Sequence, residues 1–143
     1  MTFVKYFNVT LSWRQVYCGI FSLERDGVTY WFVDNEYYFK RWQLYGHFDD
    51  CERFAYFSRA VIETPGQLDY WPDVIHCNDW QTALVPIYLL EDKYRIAQLN
   101  RAKSVFTIHN IEYQAATATR CWRTSSAWIR ATSTRACWPT MTT

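Results

Sequence analysis

The sequence predicts an α/β fold containing one parallel strand-helix-strand unit, and three observations carry that expectation. An Asp26-Gly27 pair separates two β-rich runs, a stretch of helical apolar spacing follows from Cys51, and a strand, a helix and a second strand succeed one another between Asp73 and Ile108. With 143 residues, 50% hydrophobic and 20% charged, the chain is composed like a globular protein and has room for one domain. No apolar run approaches the roughly 18–20 residues of a membrane span. Gly and Pro, at 4 each, are too few for a collagen-like or linker-like chain. The start, MTFVKYFNVT, has neither a long apolar core nor a small-residue cleavage site, so no secretory signal is expected.

More than half of the aromatic residues lie before Asp49, and this region reads as strand material. Val16–Leu23 and Val28–Val33 flank Glu24-Arg25-Asp26-Gly27, and Asp-Gly is the signal of a type I′ hairpin, so the two runs are expected to pair antiparallel. Asp49-Asp50 then offers a helix start whose acids suit the helix dipole. From Cys51 to Ile62, Phe54, Ala55, Phe57, Ser58, Ala60, Val61 and Ile62 recur at helical spacing, and Pro65-Gly66 is expected to stop the helix. Beyond Pro72, the run Asp73-Val74-Ile75-His76-Cys77 suits a buried parallel strand. Trp80 to about Tyr94 is expected to be a helix, and Lys103–Ile108 a second strand ending at His109-Asn110. That order and length match one right-handed βαβ unit.

Ligands in open α/β sheets bind beyond the carboxyl ends of the strands, which singles out Asp79 and His109. Each also has a plain structural role available. Asp79 stands where a helix N-cap would, and a His closing a strand can bond a neighbouring loop. Together they could instead hold a polar substrate, the carboxylate accepting from hydroxyls and the imidazole donating to an oxygen. His76, Cys77, Asp79 and His109 are metal-ligand types, but alternation turns His76 and Cys77 to opposite faces and no close-spaced ligand pair is present, so no metal is expected. Cys77 lies within the strand, a poor place for a nucleophilic thiolate. The five cysteines, an odd number without a CxxC pair, are read mainly as packing residues. Neither G-x-G-x-x-G nor G-x-x-x-x-G-K-[ST] occurs.

Longer segments are more specific. DNEYYFKR (Asp34–Arg41), WPDVIHCNDWQTALVP (Trp71–Pro86) and VFTIHNIEYQ (Val105–Gln114) occur in this order in bacterial glycogen synthases and plant starch synthases, and LYGHFDDCERFA (Leu44–Ala55) looks like the matching segment. Over residues 3–114 the chain therefore resembles that family. The resemblance implies a partial Rossmann-like N-terminal domain of a GT-B glycosyltransferase, with the antiparallel hairpin near its start. It implies retaining transfer of glucose from ADP-glucose, or UDP-glucose in some relatives, to the non-reducing end of an α-1,4-glucan such as glycogen or starch. The nucleotide sugar is then a substrate, with no cofactor and no required metal. Asp79 and His109 take the catalytic positions, His109 near the reacting glucosyl unit and Asp79 positioning sugar hydroxyls; Asn110, Tyr45 and Gly46 are implied substrate contacts. Neither nucleic acid nor a membrane is an expected partner. The expected compartment is the bacterial cytoplasm, or a plastid in a plant, although no transit peptide is visible.

Departures from the pattern set a limit. The family's N-terminal Lys-x-Gly-Gly loop, which grips the donor diphosphate, has no counterpart here, nor does the C-terminal domain with its Arg and Lys for the phosphates and its Glu near the reacting sugar. Without those groups the leaving diphosphate lacks electrostatic stabilisation. The expectation is a fragment inactive on its own; a non-catalytic α-glucan-binding module is the alternative.

The tail from Gln114 reads differently from residues 1–113. All 14 acidic residues lie at or before Glu112, whereas the tail holds arginines and no acid and is rich in Ala, Ser and Thr. The net charge of +1 is thus the sum of a mildly acidic segment and a basic one. A slipped reading frame near Gln114 is the expected origin of the change. Read two nucleotides later, Cys121-Trp122 and Cys137-Trp138 each force a leucine and Met141-Thr142 forces an aspartate, whatever the codons, and residues 114–143 are expected to be frameshifted and disordered. Sequencing the gene should reveal an open, synthase-like frame downstream of codon 114 in that register; a frame closed there overturns the reading.

Overall fold

A computed structural model gives the fold and describes residues 1–92 and 96–112. The expectations for 114–143, and for Cys121 and Cys137 as packing residues, lie outside the described residues. Three strands come first: β1 (Thr2–Leu11), β2 (Arg14–Arg25) and β3 (Val28–Asp34), in sheet order β1-β2-β3 and antiparallel throughout. The turn between β2 and β3 is the one foreseen, Asp26 and Gly27 both taking positive φ (54° and 77°) as a type I′ turn requires. Phe7 faces Cys18 across the β1–β2 ladder, Val9 faces Val16, and Ile20 faces Val33 on β3. Alternation puts these side chains on one face, where Phe7, Val9, Cys18 and Ile20 are buried. The opposite face carries Phe3, Tyr6, Tyr17, Phe21, Tyr30 and Phe32. There Phe3 meets Phe21 edge-on, while Tyr6 stacks on Tyr17 and Tyr30 on Phe32.

A short helix, α1 (Glu36–Phe39), ends the sheet region. Asn35 starts it by accepting from the Tyr38 N–H, and its amide also donates to the Tyr17 carbonyl at 2.7 Å. The Tyr56 hydroxyl donates to the same oxygen at 2.7 Å. The β3 ladder stops at the Gly19–Asp34 pair, short of Tyr17, so these two side chains satisfy a carbonyl the sheet leaves behind.

The long helix α2 (Asp50–Leu68) begins where the two aspartates predict, but it does not stop at Pro65-Gly66. It runs to Leu68 and ends at Asp69 in the left-handed conformation, φ 51°. A proline in the last turn forfeits the hydrogen bond to one carbonyl, and the helix carries Pro65 there in a buried position. The apolar side chains of α2 serve two cores. Tyr56 and Ala60 join Phe7, Val9, Cys18, Ile20 and Tyr38 beneath the antiparallel sheet. Ile62 joins Cys77, Val85, Tyr88, Leu89 and Leu99 on the other side.

That second core belongs to β4 (Val74–Asn78) and β5 (Lys103–Thr107), which pair in parallel. The crossover differs from the single helix expected from Trp80. It is a 3-10 turn, Trp80–Thr82, followed by α3 (Val85–Asp92) and a second 3-10 segment, Ala97–Arg101; Tyr94 lies outside the described residues. Pro86 explains the break, because its ring would clash with the Thr82 carbonyl in a continuous helix, whereas the first turn of a new helix accepts it. Arg59 of α2 bridges to α3, with Nη1 2.6 Å from Asp92 Oδ2 and Nε 2.8 Å from Glu63 Oε1, all in largely buried positions. Among the described residues no helix is long and apolar enough to cross a membrane.

Three acidic groups sit inside the first core. Burial pushes the Cys18 thiol up to about 11. The Tyr38 phenol is raised by burial and by its hydrogen bond to Glu52, and the Tyr56 phenol by burial and by Cys18. All three are neutral in the fold and lose their protons at lower pH once unfolded, so raising the pH favours the unfolded chain. For Cys18 the stability is fully present below its ordinary value of 9.0 and is lost as pH rises through about 11. Urea unfolding midpoints should be level from neutrality to about pH 9 and fall above it; level midpoints up to pH ~11 would contradict this burial.

Candidate functional site

The carboxyl ends of β4 and β5 place Asn78 opposite Thr107 in the parallel register. The chain continues the ladder one residue further, with the Asp79 N–H donating to the Thr107 carbonyl at 2.9 Å. His76, on the exposed side of β4, has Nε2 2.8 Å from Thr107 Oγ1, while Cys77 points inward and is buried. Burial raises the Cys77 thiol, so it stays protonated and packs rather than reacts. Opposite facing of His76 and Cys77 is thus as alternation requires. Among the described residues no group of three or more His, Cys, Asp or Glu is gathered as metal ligands would be.

Asp79 is the unusual residue. Its backbone has φ 58° and ψ −179°, a region that essentially only glycine enters without strain. Its side chain does not cap the following 3-10 turn; Oδ1 instead accepts from the His109 backbone N–H at 2.7 Å. The turn is closed by Thr82, whose N–H donates to the Asp79 carbonyl and whose hydroxyl reaches the Asn78 and Asp79 carbonyls at 2.9 and 3.1 Å. Asp79 thus occupies the N-cap position without capping through its side chain, and its carboxylate spans to the second strand end.

His109 is exposed, and its Nε2 lies 3.1 Å from Asn78 Oδ1. The ring does bond a neighbouring strand end, as a strand-closing histidine can, but the neighbour is the residue beside Asp79. Asn78 and Asp79 thus hold the ring and the backbone of His109 respectively. Asn110 uses its Oδ1 locally, accepting from the Glu112 N–H at 3.0 Å.

Tyr45 and Gly46 lie in a separate loop before α2. Gly46 has φ 92°, which only glycine adopts readily, and its N–H and that of His47 both donate to Asp50 Oδ2. The Gly46 N–H is therefore committed within the loop. Arg53, 2% exposed, fastens the same loop: its guanidinium pairs with Asp50 Oδ1, donates to the Tyr38 carbonyl at 2.7 Å and reaches the Leu44 carbonyl at 3.2 Å. From there the path to Asp79 is short, since Arg53 sits over the Phe54 ring and Phe54 meets Trp80 edge-on with centroids 4.8 Å apart. Sequence reasoning missed Asn78, Asp50 and Arg53. For Asn78 the available signal was a polar amide ending an apolar strand, directly before the aspartate.

The description "Starch synthase catalytic domain" names the family that matches this chain, over residues 1–136. A glycogen synthase from Clostridium botulinum (strain Eklund 17B / Type B) is 56% identical over 115 residues, which cover 80% of this chain and 24% of that protein. One from Anoxybacillus flavithermus is 54% identical over 106 residues, covering 74% of this chain and 22% of the other. The chain thus spans about a quarter of the length of these curated relatives. In three dimensions it is similar to the catalytic domain of starch synthase IV from Arabidopsis thaliana, solved with ADP and acarbose bound. That match has a TM-score of 0.66 and 38% identity, and covers 77% of this chain and 23% of the other. The α/β fold, with its antiparallel hairpin region and parallel unit, is that of a segment of a GT-B starch synthase catalytic domain.

The strain at Asp79 is open to direct measurement. Asp79→Ala and Asp79→Gly both delete the carboxylate, but only glycine relieves the backbone. The glycine variant should be the more stable of the two by about 1 kcal/mol in urea unfolding, and an alanine variant as stable or more so would show that the backbone stores no strain.

Proposed function

The chain belongs to the starch synthase catalytic-domain family, and from that membership we propose that residues 1–113 form one wall of a glucosyl-transfer cleft for α-1,4-glucan synthesis from ADP-glucose. The observation that carries the proposal is the join between Asp79 and His109 beyond the ends of two parallel strands, where α/β sheets bind ligands. In the transfer, glucose C1 exchanges its bond to ADP for a bond to the acceptor's 4-oxygen, whose proton passes to the departing ADP, and C1 carries positive charge on the way. His109 stands beside that carbon, its backbone carbonyl or its ring offering lone pairs to the charge, and Asp79 orients sugar hydroxyls. Asn110, Tyr45 and Gly46 contact substrate more peripherally. No cofactor takes part, and ADP-glucose is consumed as a substrate in the cytoplasm or plastid.

The binding-module alternative draws on a different observation. Trp42 and Phe48, in the loop before α2, are 84% and 94% exposed, and aromatic faces can stack on sugar rings. Binding to glycogen without turnover, seen as co-sedimentation, would favour it.

Two assays test the leading proposal. The purified chain should incorporate no radiolabelled glucose from ADP-glucose into glycogen above a no-enzyme control, because the phosphate-gripping groups are not among its residues. Residues 3–112 grafted in place of the matching segment of a glycogen synthase should support transfer, and His109→Ala in that chimera should lower kcat by about 10²-fold or more. A chimera indifferent to His109 and Asp79 would sink the assignment.

A further inference from the structure

We propose that Asn78 is a positioning residue that fixes the tautomer of the neutral His109 ring, leaving Nδ1 a hydrogen-bond acceptor toward ligand. Asn78 Oδ1 is an acceptor only, so the 3.1 Å contact with Nε2 requires the ring proton to reside on Nε2. A neutral imidazole has one N–H. With that proton committed to Asn78, Nδ1 is bare and accepts. This reverses the role expected from sequence, in which the imidazole donates to a substrate oxygen.

The neighbouring contacts make the arrangement rigid. The His109 backbone N–H is held by Asp79 Oδ1 at 2.7 Å, and the Asp79 N–H by the Thr107 carbonyl at 2.9 Å, so the strand ends are tied on both sides of the ring. The Asn78 backbone is held in turn, its carbonyl accepting from the Thr82 hydroxyl at 2.9 Å. Two consecutive residues therefore divide the work: Asp79 places the His109 main chain, and Asn78 sets which ring nitrogen faces a ligand with a lone pair. The chemical consequence is a preference for a ligand group that brings its own hydrogen, such as a sugar hydroxyl, over one that brings only an acceptor. The significance for transfer rests on the proposed function; the tautomer itself does not.

The test is nitrogen-15 NMR of the histidine side chains in the full 143-residue chain at neutral pH. His47 provides an internal reference, because its Nε2 lies 3.1 Å from the Gln43 carbonyl, which also only accepts. His109 should show a single tautomer protonated at Nε2, with a slowly exchanging Nε2 proton. Asn78→Ala should lose that protection and bring the two ring-nitrogen resonances closer together, as two tautomers average. Asn78→Asp, which keeps an acceptor, should retain the slowly exchanging Nε2 proton. Asn78 is exposed, so both variants are expected to fold, and the His47 signals report whether they do. A wild-type ring protonated at Nδ1, or an alanine variant with an unchanged pattern, overturns the proposal. Loss of transfer in the chimera with the tautomer intact would instead count against the proposed function alone.

Discussion

Among the described residues the antiparallel sheet and the parallel pair both pack on one helix, α2, and most of the architecture follows from that constraint. A helix ordinarily turns one apolar stripe to a core and a polar one to water. α2 instead turns Tyr56 and Ala60 toward the antiparallel sheet and Ile62 toward the parallel pair, leaving little of its circumference for solvent. Its remaining charged groups must then be accommodated inside. Arg53 and Arg59 are both buried, and each is compensated: Arg53 by Asp50 and two carbonyls, Arg59 by Glu63 and Asp92. Paired in this way, a buried charge adds little net stability, but removing either partner would leave the other uncompensated in a poor solvent. The ion pairs thus specify the arrangement: Arg53 dictates where the 44–50 loop lies, and Arg59 where α3 lies.

The site inherits its geometry from those two anchors. α3 is held to α2 by Arg59 and Asp92, and the Trp80 turn by Phe54, so the carboxyl end of β4 has a defined height along the helix. The loop carrying Tyr45 and Gly46 is fixed to the first turn of the same helix through Asp50 and Arg53. Groups far apart in sequence, among them those proposed to face substrate, are thereby referred to a single rigid rod. At the strand ends the polar groups are held by short-range bonds that cross between strands, and these replace water as their solvent.

Local signals explain why part of this fold was legible in the sequence. The hairpin was readable because Asp26-Gly27 favours the positive φ values of the turn, and the parallel unit because apolar runs alternate with a helical segment. Pro65 misled because the helix carries it, buried, in its last turn and ends only at Asp69. The helix from Trp80 misled for the opposite reason: local sterics at Pro86 won over a plausible apolar period. At the site, position singled out Asp79 and His109, and the fold joins the two beyond the strand ends. What sequence could not supply was the choice of partner. An aspartate before a turn can cap it or cross to the next strand, and only the 2.7 Å contact with the His109 N–H selects between the two. Asn78 and Arg53 were invisible for the same reason, since their roles depend on groups that are brought near only by folding.

Among the described residues the antiparallel sheet has β1 and β3 as its edge strands, each paired on one side only, and its outer face is lined with aromatic side chains. β3 is the sharper case, because Val28-Thr29-Tyr30-Trp31-Phe32-Val33 contains no charge, proline or glycine. Such a six-residue window combines high β-propensity with unpaired backbone groups, the chemistry of strand addition between chains. Strand addition of this kind is second order in the polypeptide, so concentration joins temperature among the variables that bear on how long the molecules stay dispersed.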